Sequence, residues 1–399
     1  MSSITTLSET RTTLRATCRS WNTLMIHTPL FWSYIKINIK EFVPCPPPET
    51  VQRWVHRSRE APLHIFVLCV ASKASLVQLL GEQLDVLSRE ISRWREAVFH
   101  ITSISRTAVA PILTKYPLKD AIHLRRLTII LPPWSWGAPH TTGIISQLST
   151  IPHLQRLGWF LSSEDVQSVQ AFSVSLPLHR LTHIDLWGAS IDAMLTVACR
   201  ASSITHLQLI LIHNTLPRPG LSPPEGTITL PNLRFLHTNI QISGDSIFQA
   251  LIAPSLTILY LHVDRHRKEF RPGPQVHPDL SRYLATSPHM LKVIILRDVE
   301  DSDIVPLIED PVVMKVPVLE ILLGKAKTGF LDQATMQNGV ADVPEQCKAK
   351  IEEHDCFWLV GWAEAELLNS FNDVPLCIGA DGPVLARVER WKQAAVYHM

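Results

Sequence analysis

Eight times between residues 124 and 322 the chain returns to an L-x-x-L-x-L pattern, with substitutions, at intervals that never settle on one length. The copies are Leu124, Leu127 and Ile129; Leu154, Leu157 and Trp159; Leu181, Ile184 and Leu186; Ile204, Leu207 and Leu209; Leu233 and Leu236; Leu256, Leu259 and Leu261; Leu291, Ile294 and Leu296; and Leu319 with Leu322. First positions lie 23 to 35 residues apart. Two apolar residues separated by one point to the same side of a strand, and the leucine three positions earlier closes the loop leading into it. A unit this short cannot bury its own apolar side alone, so it must lie against the next unit and share a core with it. The interval is that of a leucine-rich repeat. The expected fold class is therefore α/β: a leucine-rich-repeat solenoid with parallel strands and a helix or irregular segment returning the chain after each.

The clearest copy is "LTHIDLWGASI", where Ala189 stands at the place an asparagine or cysteine usually holds in such repeats; Asp264 stands there in "LTILYLHVDRH". No copy puts an asparagine at that place, so no asparagine ladder makes the coils uniform, and an uneven stack is expected. Proline-rich stretches at 44–48, 132–139, 217–226 and 271–278 interrupt helices and strands and read as exposed connections. Residues 330–399 change character. Two apolar helical patterns, "CKAKIEEHDCFWLVGWAEAELLNSF" and "PVLARVERWKQAAVYHM", suit a helical cap over the last strand.

Residues between the core-facing positions point the other way, because side chains alternate along a strand. That places Arg126, Thr128, Arg156, His183, Asp185, Trp187, His206, Gln208, Phe235, His237, Asn239, Tyr260, His262 and Arg297 on one common face. If two of these repeats are consecutive, His183 lies beside His206. Exposed aromatics among mixed polar groups suit protein recognition. The candidate partner-binding residues are accordingly His183, Asp185, Trp187, His206, Phe235, His237, Tyr260, His262 and Arg297, with Trp187, Phe235 and Tyr260 at the centre.

Near the start, Leu14, Cys18, Trp21, Leu24 and Met25 recur at helical spacing, with Arg11, Arg15, Arg19 and Asn22 on the other side. Ser8 or Thr10 can cap this helix and Pro29 cannot continue it. Trp32, Tyr34 and Ile35 to Ile39 then suit a short strand.

The stretch "LRATCRSWNTLMIHTPLFWSYIKI" resembles the later part of the F-box in fungal F-box-like proteins, in which a "CRSW" helix and a "TP.LW" turn precede irregular leucine-rich repeats. "VQRWVHRSREAPLHIFV" at 51–67 is similar to the continuation in that family, a helix with a Trp followed by a "PL" strand. The resemblance covers the first 70 residues, and the remainder follows in style. It implies that Leu14, Cys18, Trp21, Leu24, Pro29, Leu30 and Trp32 dock on a Skp-type adaptor of a cullin ubiquitin ligase, while the solenoid selects a protein substrate. The family's opening "LP.E....IF" helix has only "MSSITTLSE" in its place, so this docking surface is inherited in part. On this reading residues 1–45 form a partial F-box-like segment. Residues 46–110 hold connecting helices and first irregular repeats, 111–329 the solenoid, and 330–399 the cap. The alternative is a free-standing repeat scaffold that binds a protein without a ligase.

Composition excludes several other classes. The 37 basic residues are balanced by 36 acidic ones, which gives no field to attract nucleic acid or an anionic membrane. Hydrophobic residues make up 46% of the chain, enough to bury a large core. The seven scattered cysteines have no CxxC spacing and read as reduced thiols of a cytoplasmic or nuclear protein. "APLHIFVLCVA" is too short to cross a bilayer. No nucleophile elbow, phosphate loop, dinucleotide fingerprint or HExxH helix is present, so a non-enzymatic protein without cofactor is expected. Asp298, Glu300, Asp301 and Asp303 lack calcium-loop spacing. Cys347, His354, Cys356 and Cys377 match no common zinc pattern.

Overall fold

A computed structural model of the chain describes residues 18–40, 45–70, 73–102, 115–130, 138–160, 166–189, 191–212, 227–240, 245–263, 276–286, 290–297, 306–307 and 309–322. Thirteen strands occur among them. In chain order they are β1 (Tyr34–Lys40), β2 (Leu63–Val70), β3 (Trp94–Thr102), β4 (Arg126–Ile130), β5 (Arg156–Phe160), β6 (His183–Trp187), β7 (His206–Ile212), β8 (Ile228–Thr229), β9 (Phe235–Ile240), β10 (Leu251–Ile252), β11 (Ile258–Val263), β12 (Val293–Arg297) and β13 (Val318–Leu322). The two-residue strands β8 and β10 pair with each other, and the other eleven form one sheet in strict chain order. Every pairing in that sheet is parallel. The fold is α/β.

Two of the described helices precede the sheet, α1 (Arg19–His27) and α2 (Pro29–Ser33), and the others lie in crossovers: α3 (Pro48–Arg57), α4 (Ala74–Ser88), α5 (Ala138–Leu148), α6 (Val166–Ser175), α7 (Ile191–Ala198), α8 (Asp245–Ala250) and α9 (Val276–Thr286). The core joins one face of the sheet to these helices. Ile35, Val67, Phe99, Leu127, Leu157, Ile184, Leu207, Leu236, Leu259 and Ile294 share it with Val55, Leu84, Leu148, Phe172, Met194 and Leu280.

Two devices recur at the boundaries of the units from residue 121 onward. The N–H groups of Leu124, Leu181, Ile204, Leu233, Leu256 and Val316 donate to the carbonyl three residues back, at 3.0–3.2 Å, so the first apolar residue ends a tight turn. One residue before β4, β5, β6, β7, β9 and β11, a carbonyl then accepts two N–H groups from the following unit. Arg125 O takes those of Gln155 and Arg156, and the scheme repeats at Gln155, Thr182, Thr205, Arg234 and Thr257, at 2.8–3.2 Å. Threonine reinforces it, because the hydroxyls of Thr182, Thr205 and Thr257 donate to the carbonyls of Gln155, Thr182 and Arg234. This backbone spine joins the coils where the sequence offers no asparagine ladder.

Three expectations change. The sheet reaches back to Tyr34, through the stretch where a short strand and first irregular repeats are expected, and β1 to β3 carry the pattern with Trp or Pro first and Ala among the core positions. Register aligns Ile35, Ile65, Ala97 and Leu127, so Trp32 and Trp94 stand at the first-leucine position. Both are buried, and each indole N–H donates to the carbonyl seven residues earlier, Trp32 to Met25 at 2.7 Å and Trp94 to Leu87 at 3.0 Å. Trp32 therefore lies within α2 instead of opening the strand. The last copy is also displaced by three. Leu319 aligns with Ile294, so Val316 is its first member and Leu322 lies opposite Arg297. Third, Pro48 of the first proline-rich stretch opens α3, where its fixed φ suits the first helical turn. The expected C-terminal cap lies outside the described residues, as do the stretch 217–226 and both candidate metal sets. Among the described residues no helix is long and apolar enough to cross a membrane.

Candidate functional site

The sheet face opposite the helices carries three rows of side chains set by register. The first runs Tyr34, His64, Glu96, Arg126, Arg156, His183, His206, Phe235, Ile258 and Val293. The second runs Lys36, Phe66, Val98, Thr128, Gly158, Asp185, Gln208, His237, Tyr260 and Ile295. Trp187 belongs to the third, opposite Phe160 and Ile210.

Two apolar clusters flank a polar centre. Phe66, Leu68, Val98 and Trp187 form one, with Ile130 and Phe160 beside it. Phe235, Tyr260 and Ile295 form the other, bordered by Ile258 and Val293. Between them lie Arg126, Thr128, Arg156, His183, Asp185, His206 and Gln208. Gly158 is required here, because a Cβ on it would meet Thr128 Cγ2 at 2.6 Å and Trp187 Cζ3 at 2.9 Å.

Four neighbouring strands carry charged groups, with Arg126 on β4 and Arg156 on β5 lying between Glu96 on β3 and Asp185 on β6. His64 Nδ1 lies 3.6 Å from Glu96 Oε2. Burial works against the Glu96 carboxylate, yet the His64 hydrogen bond and the charges of Arg126 and Arg156 prevail and hold it below its usual range. Asp185 behaves oppositely. Burial pushes its carboxyl up to about 6 against the pull of the same two arginines. Burial, helped by Arg156 and Arg234, lowers His206 to about 4.

Rings meet along the rows. His183 and His206, opposed in register as expected, stack with centroids 4.1 Å apart and planes 6° from parallel. Phe235 follows His206 at 5.7 Å, His237 meets Tyr260 edge-on at 4.3 Å, and Tyr34 stacks on His64 at 4.3 Å.

The structure thus brings His183, Asp185, Trp187, His206, Phe235, His237, Tyr260 and His262 onto one face, and strand β12 places Arg297 in register with His262. The exposure expected of the aromatics is not found. Trp187 is 6% exposed and Tyr260 3%, and Phe235, His183, His206 and His237 are buried as well. Side chains stacked at strand spacing cover one another's flanks. The half-buried groups are Lys36, His64, Glu96, His100, Arg156, Asp185 and His262. Those on β1 to β3 were hidden from the repeat pattern, although the alternation in "YIKINIK" carried the signal for Lys36.

At the N-terminal end of the sheet, Trp21, Leu24 and Leu30 are 43%, 50% and 63% exposed. Cys18 is exposed too, and its Sγ accepts the Trp21 N–H at 3.5 Å to cap α1. Met25 and Trp32 point inward, Pro29 is half-buried, and Arg57 lies 4.5 Å over the Trp32 ring. Trp32 is thus placed for packing, and Leu14 lies outside the described residues. Among the described residues no three potential metal ligands gather. Neither a protein-family model nor a curated protein matches this sequence.

Proposed function

We propose that this chain is a non-enzymatic recognition protein, similar to F-box receptors with leucine-rich repeats, in a cytoplasmic or nuclear ubiquitin ligase. The observation that carries the reading is the pairing of eleven parallel strands in chain order, with one continuous sheet face that no helix covers among the described residues. Trp187, Phe235 and Tyr260 form the floor of that face. Arg156, Glu96, Asp185, His64 and His262 present polar groups to a protein target. Trp21, Leu24 and Leu30 supply the adaptor-docking surface, since three large apolar side chains within ten residues of chain are left exposed there.

Purified Skp-type adaptor tests the docking half. Wild type should retain adaptor and cullin on affinity capture, and the Trp21→Ala, Leu24→Ala, Leu30→Ala variant should lose both with its unfolding midpoint unchanged. Capture that survives these substitutions would refute the assignment. A second reading, a free-standing repeat scaffold, is favoured by the burial of Met25 and Trp32, which spend part of the resembling segment on internal packing. It predicts no adaptor in either sample.

A further inference from the structure

At the centre of the sheet face, His183 and His206 repeat one local arrangement a strand apart. The hydroxyl of Thr182 lies 2.9 Å from His183 Nδ1, and that of Thr205 lies 2.9 Å from His206 Nδ1. Each hydroxyl has one proton, and each donates it to the preceding coil, Thr182 to Gln155 O and Thr205 to Thr182 O. With the hydroxyl protons placed on those carbonyls, the ring nitrogens donate to the hydroxyl oxygens. That arrangement assigns both imidazoles as Nδ1–H tautomers and leaves Nε2, buried in His183, to take the next proton.

The surroundings oppose that proton. From β5, Arg156 is in register with His183, and Arg126 lies one strand further. Arg234 acts on His206 from the β9 side, where Phe235 covers the ring. The anion on their own strands is Asp185, which burial holds toward its neutral form. Two parallel rings 4.1 Å apart cannot both carry charge cheaply in a buried site.

We infer that the His183–His206 stack is an acid-released clasp: neutral, it ties the outer face of β6 to that of β7, and protonation at Nε2 of either ring separates them. The inference does not depend on what the face binds. The folded form protonates His206 near 4, below the 6.5 of the free side chain, so the clasp stabilises fully above 6.5 and is lost as pH falls.

The full-length protein with His206→Phe keeps an aromatic ring and loses the titration. From pH 6.5 to about 4, the folded-to-unfolded ratio of wild type should fall relative to this variant by about tenfold per pH unit in urea titrations. A relative ratio that stays constant over the range overturns the clasp. Nitrogen NMR of the wild-type imidazoles gives an independent arm if the variant does not fold. Both rings should be Nδ1-protonated at neutral pH, with His206 titrating well below 6.5. An Nε2–H tautomer, or ordinary titration near 6.5, refutes the inference.

Discussion

Thr238 occupies the place where Leu209 and Leu261, its register partners, bury apolar side chains. Its hydroxyl is buried without a hydrogen-bond partner. Thr238→Val should therefore raise stability by about 1 kcal/mol, read from the urea midpoint. A second prediction concerns charge. The fold raises Asp185 to about 6 from 3.8, so its contribution is full below 3.8 and lost as pH rises through 6. Asp185→Asn should gain on wild type over that interval and hold the gain at pH 7, on the order of 1–2 kcal/mol after allowance for its partial exposure. His206 has the opposite slope between about 4 and 6. Removing either titration should expose the pH dependence that the other one masks, measurable as unfolding free energy across pH 4 to 7. Alternation made the side of each residue legible, and the neighbouring of His183 and His206 followed from it. Burial was not legible, because it depends on how closely side chains on adjacent strands cover each other. Thr238 hid its own position by breaking the apolar pattern.

At the level of elements, the turn between α3 and β2 is held from outside. Arg93, just before β3, donates to Ser58 Oγ at 2.6 Å and to Ala61 O at 2.9 Å, and it pairs with Glu90 at 3.1 Å. The turn contains Arg59 at φ 47°, a left-handed conformation that needs support. Arg93→Ala should destabilise by about 2 kcal/mol and make the 58–62 turn the first site of limited proteolysis. The strands after residue 124 were readable because leucine or isoleucine repeats at fixed offsets within each copy. Those before it were legible only as a short strand after Trp32 and a "PL" strand, without their place in the repeat register. Trp32 and Trp94 replace leucine with a larger ring that adds an indole hydrogen bond, and Ala97 removes the bulk expected beside it. The same substitution explains the reading of α1. Its apolar stripe groups Trp21, Leu24 and Met25 on one side, whereas Met25 is buried, with its carbonyl accepting the Trp32 indole N–H, and Trp21 and Leu24 are exposed.

For the whole molecule, the sheet order makes contacts short-ranged in sequence, since each central strand pairs with its two nearest neighbours in that order. Stability in such an array is a sum over units and their junctions. Ile294→Ala in β12 should cost 2–5 kcal/mol locally and speed amide exchange in β11 to β13, with β2 to β4 unchanged. Exchange that accelerates uniformly would mean one cooperative core instead. The shared register also bears on chain length as a variable. Excision of residues 181–203 would remove one coil from turn to turn and bring Arg156 opposite His206 with the spine bonds re-formed at Gln155 O. Growth or shrinkage of this protein by whole coils therefore needs no new topology, and the span of surface it offers can be set by simple arithmetic on modules.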